Sequence, residues 1–72
     1  MESKYRLHVL SGGKPATALE HYILWDYERG ELVRNCDWVA DGYTETVVSK
    51  VMSRMVKGGW VIKLRRGVFE VV

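Results

Sequence analysis

The chain has a single cysteine, Cys36, so no internal disulfide can form, and a reducing compartment is the expected setting. It also has no long apolar run. Stretches such as Tyr22 to Trp25 span a few residues, far short of the ~20 that cross a bilayer as a helix. The opening Met1-Glu2-Ser3-Lys4 lacks the apolar core of a signal peptide, which leads to the expectation of a cytoplasmic protein. There is no internal repeat, and the only linker-like stretch is Ser11-Gly12-Gly13-Lys14-Pro15. That stretch has neither the spacing of a phosphate-binding P-loop nor a Ser or Thr after the lysine. His8, His21 and Cys36 lack the close pairing that zinc ligands take, so no metal is expected. No candidate nucleophile has an activating partner visible in the sequence. The expectation is therefore a protein that is not an enzyme and carries no cofactor.

What is present favours a small folded domain. Seventy-two residues make one domain, and a chain this short buries only about 60% of its unfolded surface. Hydrophobic residues make up 47% of it, with three Trp and four Tyr, a composition that excludes disorder as the ground state. The net charge of +2 is small, but it is unevenly spread. Residues 1–43 hold five Lys/Arg against seven Asp/Glu, whereas residues 44–72 hold six against two. A basic C-terminal end of this kind points to a polyanionic partner.

Along the chain, Lys4 to Leu10 alternates, with Tyr5, Leu7 and Val9 on one side, and predicts a short strand. Thr17-Ala18-Leu19-Glu20 has capping-box spacing, which predicts a helix from Thr17 to Arg29 ended by Gly30, with Leu19, Tyr22 and Ile23 on one face. Glu31 to Ala40 predicts a second helix, with Leu32, Cys36 and Val39 as its core stripe and an Asp41-Gly42 turn after it. Thr44 is a good N-cap and Glu45 suits a first turn, so a third helix is expected over Glu45 to Lys57. Val48, Val51, Met52 and Met55 fall in one sector of that helix. Thr46, Lys50, Ser53 and Lys57 fall in the opposite one, flanked by Ser49 and Arg54, and Gly58-Gly59 ends it. Trp60 to Leu64 and Val68 to Val71 then predict a hairpin around Arg66-Gly67. Its two-residue loop pairs Arg65 with Val68, Leu64 with Phe69, Lys63 with Glu70 and Ile62 with Val71.

This order of elements resembles the winged helix-turn-helix regulators of bacteria and phages, of the MarR-like or antitoxin type. The match lies in Val48 to Val61 and in the hairpin with Arg65-Arg66-Gly67-Val68-Phe69, within residues 31–72. It departs from the family at Trp38, where such proteins place a small residue four positions before the turn glycine. The resemblance implies an α+β fold: a three-helix winged helix-turn-helix with a C-terminal β-hairpin wing, here preceded by a short N-terminal strand. Residues 1–15 would be that strand and its loop, 16–57 the helical core and 58–72 the wing. It also implies double-stranded DNA as partner, read by the third helix in the major groove.

The physical reasoning agrees, since small hydroxyls and cations suit base edges and phosphates. The expected DNA-binding residues are Thr44, Thr46, Ser49, Lys50, Ser53, Arg54, Lys57, Lys63, Arg65 and Arg66. The surplus of aromatics, among them Tyr22, Trp25, Tyr27, Trp38 and Trp60, leads to the expectation of a homodimer through the first helix and the Lys4 to Leu10 segment. Two other readings remain open at this stage. One is a winged-helix adaptor or phage-encoded inhibitor that binds protein. The other is single-strand or RNA binding, with exposed aromatics stacking on bases.

Overall fold

The computed structural model describes all 72 residues. Four helices and three strands follow one another as α1 (Lys4–Leu10), α2 (Ala18–Asp26), β1 (Leu32–Arg34), α3 (Asn35–Ala40), α4 (Glu45–Lys57), β2 (Val61–Arg65) and β3 (Val68–Val71). The strands form one antiparallel sheet in the order β1-β3-β2. Helices precede a C-terminal hairpin that a short earlier strand completes into a sheet, a layout consistent with a winged helix. No helix is long and apolar enough to cross a membrane.

The first correction is at Lys4–Leu10, which is a helix and not a strand. Ser3 caps it, its fully buried hydroxyl accepting from the Arg6 amide at 3.1 Å. At the other end the Gly12 and Gly13 amides bond back to Val9 and His8, with Gly12 at φ 91°. Such a helix ending needs the left-handed conformation that glycine adopts freely. Tyr5 is the only buried residue of α1, and its anchoring matters more than the alternation that suggested a strand. Its hydroxyl sits 2.5 Å from His21 Nδ1 and accepts from the Ala16 amide at 3.0 Å, which ties α1 to α2 and to the loop between them.

Helix α2 stops at Asp26, short of the predicted Arg29. Thr17 makes no side-chain cap, and the Glu20 carboxylate turns instead to Arg54 at 3.3 Å. The inward face of α2 is therefore Glu20, Ile23 and Leu24, while Tyr22 is exposed. The predicted second helix is divided. Leu32–Arg34 pairs with β3, and only Asn35–Ala40 is helical. Gly30 donates to Val71 and Val71 to Glu31, so the sheet captures this segment before a helix can start. As a result Val33 and Trp38 are buried in place of Leu32, Cys36 and Val39, and Cys36 is exposed.

Helix α4 keeps its predicted bounds, its cap (Val47 amide to Thr44 Oγ1, 3.3 Å) and its core stripe of Val48, Val51, Met52 and Met55. Its end is closed by Gly59 to Val56 and Trp60 to Met55 backbone bonds. The hairpin forms around Arg66-Gly67, but its register holds the predicted pairing only at Arg65 with Val68. A bulge between Lys63 and Arg65 shifts the rest, so that Lys63 pairs with Phe69, Ile62 with Glu70 and Val61 with Val71. Bringing Val61 and Val71 together inside the core outweighs the Lys63–Glu70 pairing that the sequence favours. The core joins Tyr5, Ile23, Leu24 and Val33 to the α4 stripe and to the inner faces of β2 and β3.

Candidate nucleic-acid interface

Helix α3, the tight turn at Asp41-Gly42 and helix α4 set α4 against the sheet so that its polar side lines a groove of about 730 Å³. One wall is Ser49 and Ser53 of α4, and the other is Lys63, Arg66 and Gly67 of the hairpin. The floor is apolar, made by Val39, Met52, Val68 and Phe69. Glu45 also lines the groove and is the one acidic side chain in it.

Ser49, Ser53, Lys63 and Arg66 are thus brought together as the sequence expected. Thr46, Lys50 and Lys57 are exposed on α4 but do not line the groove, so they continue the polar surface around the helix. Thr44 is exposed with its hydroxyl engaged in capping. Arg65 is exposed at the hairpin end, opposite Val68. Arg54 stands apart from the others. Its guanidinium is held by Glu20, a residue only 8% exposed, so its first role is to join α4 to α2.

Two residues of this face escaped the sequence reading. Arg34, at the end of β1, lines the groove, and the register places it in one row with Val68 and Arg65. Asn35 follows it, with its amide bonded to Gly67 O at 3.0 Å and its side-chain oxygen buried without a partner. Reading residues 31–40 as one helix hid both. The pairing of Leu32-Val33-Arg34 with β3 is the feature that exposes them, and only the sheet supplies it.

The ion pairs are Met1 N-terminus–Glu28, Arg6–Glu2 and Arg54–Glu20. Arg34, Lys50, Lys57, Lys63, Arg65 and Arg66 belong to none of them, and all six are exposed. In the groove Arg34, Lys63 and Arg66 outnumber the single carboxylate of Glu45, and such an excess of positive charge is one that a polyanion can relieve. The one clearly displaced titration lies elsewhere, at Tyr27 beyond the end of α2. Burial, reinforced by Asp37, pushes its phenol up. The aromatic surplus mostly finds partners inside the chain. Tyr5 meets His21 and Trp60, His21 stacks on Trp25, and Trp38 lies between Tyr22 and Tyr43. Among the three Trp and four Tyr, only Tyr22 and Tyr43 are exposed. No cluster of potential ligands for a metal ion is present. No protein-family model matches the chain, and neither a curated protein nor a solved structure matches it.

Proposed function

We propose that this chain is a winged helix-turn-helix protein that binds double-stranded DNA in a sequence-specific way, as a small transcriptional regulator of bacterial or phage type. In this reading α4 enters the major groove, the β2–β3 hairpin serves as the wing, and the protein acts as a homodimer. The observation that carries the reading is the set of five exposed, unpaired cations at one groove and one helix face, Arg34, Lys63 and Arg66 in the groove and Lys50 and Lys57 on α4. Hydroxyls on α4 lie between them, and only Glu45 opposes the charge within the groove. Ser49, Ser53 and Thr46 are short enough to let the helix backbone approach base edges, while Lys50 and Arg66 reach to either side.

The test is fluorescence anisotropy with a labelled duplex at several salt concentrations. Arg66→Ala should weaken binding to every duplex about equally and reduce the log-affinity versus log-salt slope by ~0.9, the contribution of one phosphate contact. Lys50→Ala should weaken binding and relax sequence preference in a selection from random duplexes. Both side chains are exposed, so melting curves should match the parent. Absence of parent binding at low salt, or two variants that bind like the parent, would remove this reading. The protein-adaptor reading would then replace it, because the groove floor of Val39, Met52 and Phe69 is apolar and suits a peptide.

A further inference from the structure

A second charged surface, of the opposite sign, lies on α2, α3 and the turn that follows. Neither residues 17–28 nor residues 35–49 include a lysine or an arginine. The nearest cations in sequence are engaged elsewhere: Arg29 lines a shallow hollow with Lys4, Leu7 and Glu70, and Arg34 lines the groove. Of the acids in these two segments, Glu20 and Glu28 are ion-paired and Glu45 belongs to the groove. Asp26, Asp37 and Asp41 are exposed and in no ion pair. All three stand around Trp38. Asn35, Cys36, Val39 and Ala40 line the groove, which leaves Asp37, Trp38 and Asp41 on the other side of α3. Tyr22 and Tyr43 lie against the Trp38 indole, at ring-centroid distances of 5.7 and 6.0 Å. Tyr22 and Asp26 are one turn apart on the same face of α2. Burial pushes the nearby Tyr27 phenol up, and Asp37, Glu31 and Asp26 add to that rise, the mark of a negative field at this face.

Such a face repels nucleic acid and anionic lipid. A two-fold contact between copies would set its carboxylates against themselves. A cationic ligand is complementary to both of its features. The three carboxylates pair with positive charge, and the exposed rings of Tyr22 and Tyr43 offer π faces to it. Arginine suits the combination, since its flat guanidinium stacks on a ring and still donates to a carboxylate. A further observation favours a polypeptide over a small polyamine. The Trp38 indole N–H is buried beneath this face and is the one buried side-chain donor without an acceptor. A polypeptide laid over the rings brings backbone carbonyls, and a polyamine brings none. We propose that the face of Tyr22, Trp38 and Tyr43 docks an arginine-bearing segment of a partner protein, its guanidinium groups pairing with Asp26, Asp37 and Asp41 over the two exposed tyrosines. This face and the groove lie on opposite sides of α3, so the partner leaves the groove open. The inference does not depend on DNA binding.

Amide and indole N–H spectra of the full chain, titrated with a short peptide of alternating arginine and glycine, test it. The peptide should bind with a Kd of about 10–500 µM, the range of a small exposed contact. The shifted signals should be the Trp38 indole and the amides of Asp37, Asp41 and Tyr43. Asp26→Asn with Asp37→Asn should weaken binding roughly tenfold or more, as should Tyr22→Ser, each with unchanged circular dichroism. Lys50→Ala, on α4, should bind the peptide like the parent. Spermine should bind more weakly and without regard to Tyr22. No shift at millimolar peptide would overturn the inference, as would shifts spread equally over Glu2, Glu31 and Glu70, or a Tyr22→Ser variant that binds like the parent. Spermine that equals the peptide would reduce the face to a counter-ion site and overturn it too. So would the same shifts on raising the protein concentration alone, since the occupant would then be a second copy. The double Asp variant should bind duplex DNA as the parent does, so a loss of either activity leaves the other standing.

Discussion

Replacing Arg54 by alanine separates a structural role from a DNA-contacting one. Arg54 Nη1 lies 3.3 Å from Glu20 Oε1, with side-chain exposures of 59% and 10%. Fully exposed pairs contribute about 0.2–1 kcal/mol, whereas breaking a buried pair costs ~3–5 kcal/mol because a charge is left stranded. Here one partner is in water and the other is not. Solvent entering the space vacated by Arg54 can reach the carboxylate and offset part of the loss. The expected destabilisation is about 1–2 kcal/mol, close to the lower limit. For a domain of this size that lowers Tm by roughly 5–15 °C. Glu20→Met in the Arg54→Ala background should recover part of the loss by removing the stranded charge, and the double-mutant cycle should give a coupling of about 1 kcal/mol. Urea denaturation followed by circular dichroism measures all four proteins. If Arg54→Ala unfolds at the parent's midpoint and instead reduces the salt slope of DNA binding, the guanidinium is a DNA ligand and the structural assignment is wrong.

Two further outcomes follow from single sites. Gly67 has φ 75° and open space where a Cβ would stand, so Gly67→Val should cost only the backbone strain of that conformation, about 1–2 kcal/mol in thermal melting; an unchanged Tm would show that the hairpin turn tolerates another geometry. Tyr5→Phe deletes the hydroxyl that serves both His21 and the Ala16 amide, so it should cost about 1–3 kcal/mol and accelerate hydrogen exchange at Ala16; protection at Ala16 equal to the parent's would mean that this hydroxyl does not hold the loop.

How much of this was legible in the sequence depends on how local the governing interaction is. Helix α4 was read to the residue because its cap, its apolar stripe and its terminating glycines all lie within one segment. The turn at Arg66-Gly67 was legible for the same reason. Helix α1 was misread although it carries the same punctuation, a Ser before it and Ser11-Gly12-Gly13 after it. Seven residues are too few for periodicity to separate a helix from a strand, so the end signals should have outweighed the alternation. Strand β1 had no local signal of that quality. It is made by β3, about 35 residues away in sequence, and propensity gives way to such pairing. Glu20 was equally hidden, since its place in the core depends on a guanidinium from α4.

The hairpin register connects these errors to the charge lining the groove. Without a bulge, Lys63 would stand opposite Glu70, and the two charges would neutralise each other on one face of the sheet. With Leu64 as the extra residue, Lys63 pairs with Phe69 and Glu70 with Ile62. Adjacent rows of a sheet point to opposite faces, so the two charges are now on different sides. Lys63 lines the groove beside Ser49, Ser53 and Arg66, whereas Glu70 lines the hollow beside Arg29. One inserted residue therefore keeps Lys63 in the groove and turns Glu70 away from it. The sequence made the salt-paired register attractive because a cross-strand ion pair adds a few tenths of a kcal/mol. Burial of Val61 against Val71 is worth more than that, since a fully buried valine contributes about 1.5 kcal/mol or more. The core thus sets the register, and the register in turn decides which charges face the groove and which face the outer side of the sheet.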